Sequence, residues 1–134
     1  MTKQTVQTTA PRTVVQPTWS AVAALLGFSA VALGAMAAHA VADPNAAQAL
    51  ERAAIYQLIH ACVLLYATGL SGTTALLARS LLLSGIVLFC GSIELKYLFS
   101  VAGATTVAPT GGIALILGWL LLGISAARRS GAKS

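Results

Sequence analysis

The polar side chains in or beside the apolar runs that are candidates for chemistry are His39, Tyr56, Gln57, His60 and Glu94. Tyr56 and His60 are four residues apart, which puts them on one face of a helix. A glutamate at membrane depth is costly and calls for a partner, and the candidate for Glu94 is His60. A hydrogen-bonded His60–Glu94 pair beside Tyr56 would satisfy both groups and could hold a proton. Lys96 lies two residues beyond Glu94 on a different face, where its long stem can snorkel outward. The plainer expectation is that these groups simply hydrogen-bond helices together in lipid.

Other chemistries fare worse. Two histidines and a carboxylate could bind a metal, yet nothing in their spacing forces a common site. Paired histidines could ligate haem, but His39 and His60 fall at different depths. For Ser-His-Asp hydrolysis Asp43 is in a loop and no serine occupies a nucleophile elbow. No catalytic residue, metal or cofactor is therefore assigned. Cys62 and Cys90 fall inside apolar helices with no CxxC spacing and read as buried free thiols.

The surrounding elements are read from composition. At 57% hydrophobic and 8% charged, the chain departs from a soluble domain, where about a quarter of residues carry charge. Ser20–Ala42 has no Asp, Glu, Lys or Arg, and neither have Ala53–Ala78, Ser80–Ile93 and Tyr97–Ala127. A crossing helix needs about 20 apolar residues. The 134 residues thus hold a single all-α domain, a bundle of four transmembrane helices at about 19–41, 53–70, 75–99 and 112–127, and no soluble catalytic domain.

Residues 1–18, polar and rich in Thr and Gln, are expected to be a disordered tail, and 129–134 a basic C-terminal tail. Lys3, Arg12, the first apolar run and Ala40-Val41-Ala42 also fit a cleaved signal peptide, but that run exceeds the roughly 7–15 residues of a signal core. Asp43-Pro44-Asn45 is a turn and helix start, Ala46–Arg52 an amphipathic lead-in, and Ser71–Thr74 a tight turn between antiparallel neighbours. Trp19 is an interfacial anchor and Trp119 apolar bulk. Small residues mark close-packing faces: Gly27, Ala30, Gly34 and Ala38 on the first helix, Gly85, Gly91 and Ser92 on the third, and Gly118 on the fourth. Pro109 closes a loop from Val101, and Gly111-Gly112 opens the last helix.

By rise per residue, His60 lies roughly 10 Å and Glu94 roughly 8 Å below the outer ends of their helices. Outer and inner follow from the basic residues. Lys3, Arg12, Arg79, Arg128, Arg129 and Lys133 share one face, against Arg52 and Lys96 on the other. The positive-inside rule puts both termini in the cytoplasm of a bacterium, or in the matrix of a mitochondrion. The scattered basic residues form no patch interleaved with aromatics, so nucleic acid is not a partner.

Several stretches carry a resemblance. Leu33–Ala40, Ala54–Ala61, Phe89–Ser92, Ala108–Gly112 and Leu117–Trp119 resemble, in order, the landmarks of domain-of-unknown-function family 423. These are small four-helix membrane proteins of bacteria, with mitochondrial relatives that include transmembrane protein 256. The resemblance spans about Ser20 to Ala127. It implies four transmembrane helices and no established reaction, so it supplies no catalytic residues. After Gly91-Ser92 the family usually has Leu-Tyr where this chain has Ile93-Glu94, which leaves His39, Tyr56, Gln57 and His60 as the better-matched polar set.

The reading favoured by these observations is a non-enzymatic integral membrane protein in the lipid bilayer, packing against other copies of itself or within a larger membrane complex. One alternative is a permeation or proton-handling protein using the His39, Tyr56, His60 and Glu94 cluster. Another is a membrane redox or quinone-binding subunit.

Overall fold

The computed structural model describes residues 16–131. They form four helices, α1 (Pro17–His39), α2 (Pro44–Ala67), α3 (Thr73–Phe99) and α4 (Ala108–Gly131), with a 3-10 turn at Ala104–Val107 before α4. Among the described residues there is no strand. The extensive contacts are between consecutive helices: α1 with α2, α2 with α3, and α3 with α4. Short connections make these pairs antiparallel. The α2 N-terminus and α3 C-terminus therefore share one end of the bundle, here the Asp43 end, and the α2–α3 turn lies at the opposite, Arg79 end.

Local chemistry sets the helix limits. α2 starts at Pro44 rather than Ala53, because the Asp43 carboxylate accepts from the backbone N–H groups of Asn45 at 3.3 Å and Ala46 at 3.1 Å. Pro44 occupies the first turn, where its missing N–H has no intrahelical use. The 46–52 stretch is thus part of α2, and Ala46 and Leu50 are buried in the bundle. Likewise α4 starts at Ala108 with Pro109 in its first turn, so Gly111 and Gly112 are already helical. α4 runs on through Arg128 and Arg129 to Gly131, past the limit expected at 127. Pro17 and Thr18, expected in the tail, open α1. The remainder of that tail, with Lys3 and Arg12, and Lys133 at the other terminus lie outside the described residues.

The core is built from small side chains. α1 presents Ala23, Ala30, Leu33 and Ala37 to α2. This is one residue's rotation from the expected stripe: Ala38 is exposed and Ala37 takes its place. A Cβ added at Gly27 or Gly34 would make ordinary contact, 4.0 and 3.7 Å from the Cβ atoms of Ala61 and Ala54. The close approach is between α3 and α4. A Cβ on Gly111 would lie 2.5 Å from the Phe89 backbone N, one on Gly85 would lie 2.9 Å from the Leu115 N, and one on Gly118 would lie 3.1 Å from the Leu82 N. Ser92 is buried on α3. Gly91 and Gly112 face open space and take no part in this packing.

The outside of the bundle is apolar, as a helix bundle in lipid requires. Phe28 is 74% exposed, and Ile59, Leu77, Val87 and Ile116 are exposed on the other helices. Among the described residues α1, α3 and the segment Ala104–Ser130 are long and apolar enough to cross a membrane. α2 is of similar length, but Glu51, Arg52, Gln57 and His60 interrupt its apolar sequence. Of the two cysteines, Cys90 is buried and Cys62 is exposed, so only one is a core thiol.

Candidate functional site

The polar residues of α2 point to two different neighbours because they are set at different angles around the helix. Gln57 is buried and faces α1, where its Nε2 donates to the Leu26 carbonyl at 3.1 Å and to Ser29 Oγ at 2.7 Å. Ser29 Oγ in turn donates to the Leu26 carbonyl at 3.0 Å. This small network satisfies the amide N–H groups and the hydroxyl together, as burial demands.

His60, 7% exposed, faces the other way. Trp119 Nε1–H of α4 donates to its Nε2 at 3.2 Å. An indole can only donate, so Nε2 accepts and the imidazole proton sits on Nδ1, which is 2.6 Å from the Tyr56 carbonyl oxygen and donates to it. Both ring nitrogens are therefore occupied in a neutral ring. Tyr56 stacks on His60 with 6.2 Å between centroids and 13° between planes, Phe89 of α3 tilts against Tyr56 at 5.5 Å, and Trp119 meets His60 edge-on at 6.2 Å. Three helices thus contribute to one aromatic cluster centred on His60.

This corrects the expected His60–Glu94 pair. His60 is bonded to Trp119, and Trp119, read from sequence as apolar bulk, is the donor that orients it. Glu94 is half-buried, and its Oε1 is sealed from solvent with no hydrogen-bond partner among the described residues. Tyr56 is 50% exposed, so the Tyr56–His60 face is only partly turned into the bundle. His39 is exposed in the last turn of α1, and no hydrogen bond or ring contact among the described residues joins it to the cluster. No group of three or more His, Cys, Asp or Glu side chains that could hold a metal occurs among the described residues.

Beside the cluster, α2 and α3 leave an open groove of about 260 Å³. Ala49, Arg52 and Tyr56 line it from α2, Phe89, Ile93 and Tyr97 from α3, and Thr105 from the 3-10 turn. Tyr56 and Phe89 belong to both the groove and the cluster.

A second polar centre, at the Arg79 end, was not singled out by the sequence reading. Arg79, only 2% exposed, donates from Nη1 to the carbonyls of Ala67 at 3.3 Å and Leu70 at 3.2 Å. Its guanidinium lies 5.5 Å from the centroid of the Trp19 ring. Arg129 Nη1 donates to the Gly69 carbonyl at 3.0 Å, and Arg128 Nη1 to Thr74 Oγ1 at 3.0 Å. Cations here suit the negative end of the α2 dipole and add donors to the carbonyls at the helix end. The signal was available in the sequence: Arg79 is the one charged residue between Ala53 and Ile93, a placement that implies a buried partner.

A family model described as protein of unknown function (DUF423) matches residues 33–112. That span holds Gln57, His60, Glu94 and the whole groove lining, and stops short of Trp119 and the two C-terminal arginines. Similar proteins are named UPF0382 membrane proteins. One from Staphylococcus aureus (strain bovine RF122 / ET3-1) is 33% identical over 114 residues, covering 81% of this chain and 93% of the relative. One from Staphylococcus epidermidis (strain ATCC 12228 / FDA PCI 1200) is 36% identical with the same coverage. One from Haemophilus influenzae is 36% identical over 106 residues, covering 74% of this chain and 85% of the relative. No solved structure matches the chain.

Proposed function

The chain belongs to the DUF423 family and is an integral protein of a bacterial membrane, and from that premise we propose that it is a non-enzymatic subunit that stabilises a membrane assembly of its own copies or of a larger complex. One observation carries this reading. The buried polar side chains Gln57, His60 and Arg79 each bond across helices or to helix-end carbonyls. Such bonds hold a bundle together. They leave neither His60 ring nitrogen free to meet a substrate. What the bundle offers outward is apolar and aromatic surface on all four helices. The basic residues Arg79, Arg128 and Arg129 at one end favour an orientation with both termini in the cytoplasm.

The test is the protein's state in its own membrane. Purified in mild detergent, it should run as an oligomer or with a co-purifying membrane protein, and crosslink to that neighbour before extraction. A free monomer that crosslinks to nothing would overturn the reading.

One observation favours a second reading, a permeation or proton-handling protein: the partnerless Glu94 Oε1 among the described residues. In proteoliposomes, a proton flux that Glu94→Gln abolishes would support it, and equal leak in the two proteins would sink it.

A further inference from the structure

We propose that the groove between α2 and α3 binds one anionic phospholipid drawn from the leaflet at the Asp43 end. The groove is polar at the mouth and apolar at depth. Ala49, Arg52, Tyr97 and Thr105 sit nearest the helix ends and the connecting turn, three of them polar, while Ala53 and Ile93 form the middle and Tyr56 and Phe89 the deeper wall. From Tyr97 to Phe89 along α3 is about 12 Å at the helical rise. This gradient follows the bilayer's own, from headgroup to acyl chain, so a lipid matches it in the orientation it already has.

The charge at the mouth selects the headgroup. Arg52 is exposed, lines the groove, and has no hydrogen-bond acceptor or acidic partner among the described residues. Lys96 Nζ lies 5.0 Å from the centroid of the Tyr97 ring, which is itself a lining residue. One cation, Arg52, therefore lines the mouth, a second lies over the ring of a lining residue, and the acidic residues of this end are not in the lining. A phosphate diester supplies the negative charge and the paired acceptor oxygens that a guanidinium binds in fork geometry. Its acyl chain covers the apolar surface of Ala49, Ile93 and Phe89. A neutral partner helix laid into the same groove would cover the floor and leave Arg52 unmatched, at the cost of an unpaired charge.

Native mass spectrometry of the full chain, released from detergent after exchange with defined lipids, tests this. One phosphatidylglycerol per chain should be retained in preference to phosphatidylcholine, and glycerol phosphate at equal concentration should not be retained. Arg52→Gln should reduce retention roughly tenfold, the loss expected for one charged hydrogen-bonding partner. Ala49→Phe, which narrows the groove and keeps Arg52, should reduce it as well. Arg128→Gln, at the opposite end, should leave it unchanged, and circular dichroism checks that each variant is folded. Equal retention of the two lipids, equal loss in Arg52→Gln and Arg128→Gln, or groove variants that alter only the oligomeric mass would each overturn the proposal. If one variant fails to fold, the lipid preference of the unaltered chain still decides.

Discussion

Trp119 on α4 donates its indole N–H to Nε2 of His60 on α2, across 59 residues of sequence. The bond ties α4 to a helix that is not its immediate neighbour in the chain and holds the imidazole in one tautomer. Trp119→Phe keeps most of the ring packing and removes the donor. It should lower stability by roughly 1 kcal/mol, the scale of an interhelical hydrogen bond in a membrane protein. A double-mutant cycle with His60→Ala, followed by unfolding in mixed micelles, measures the coupling. Strictly additive effects would mean that the bond contributes nothing.

Glycines of α1 and α4 should respond in opposite directions to alanine. At Gly34 the new methyl finds ordinary contact with Ala54, and the helix gains the propensity advantage of alanine, about 0.5–1 kcal/mol. At Gly111 the methyl would meet the α3 backbone at Phe89 at 2.5 Å. α3 and α4 must then separate, at a cost of roughly 1–3 kcal/mol. Midpoints of unfolding for the two variants should move apart from the parent, and a shift in the same direction would contradict the packing.

Arg79 should not tolerate lysine. Its Nη1 reaches two carbonyls of the α2–α3 corner while the flat guanidinium lies over Trp19, and a compact, strongly hydrated ammonium cannot reproduce that stacking. Arg79→Lys should cost about 1.5–3 kcal/mol, while Arg128→Lys, at the exposed Thr74 contact, should change stability little. Equal loss in the two variants would show that the buried corner has no special weight.

Orientation gives a fourth check. A fluorescent protein that folds only in the cytoplasm, fused after Ser134, should be bright in bacteria. A single cysteine at Asn45, in a background without Cys62 and Cys90, should react with an impermeant maleimide added outside whole cells. A dark fusion together with an unreactive Asn45→Cys would reverse the assignment of inside and outside.

Much of the architecture was legible because it is local. The charge-free runs, the Asp43-Pro44 start and the turn before Thr73 all act within a few residues, so composition and capping rules reach them without tertiary knowledge. The limits of α2 and α4 were misread where an amphipathic or proline-containing turn looked like an interruption. Pro44 and Pro109 both stand in first turns, where proline suits the helix and does not end it.

What sequence could not reach was rotation and register between helices. A shift of one residue turns a helical side chain by about 100°, which is the difference between buried Ala37 and exposed Ala38. Likewise Gly91 and Gly111 have equal small-residue credentials, and only the crossing of α4 over Phe89 separates them. His60 had two possible partners, a carboxylate on α3 and an indole on α4, and chemistry alone favoured the carboxylate. The angle of His60 around α2 and the height of Trp119 on α4 gave it the indole. Spacing along the chain thus determined that His60 needs a partner in lipid, and the packing of the helices against one another decided which.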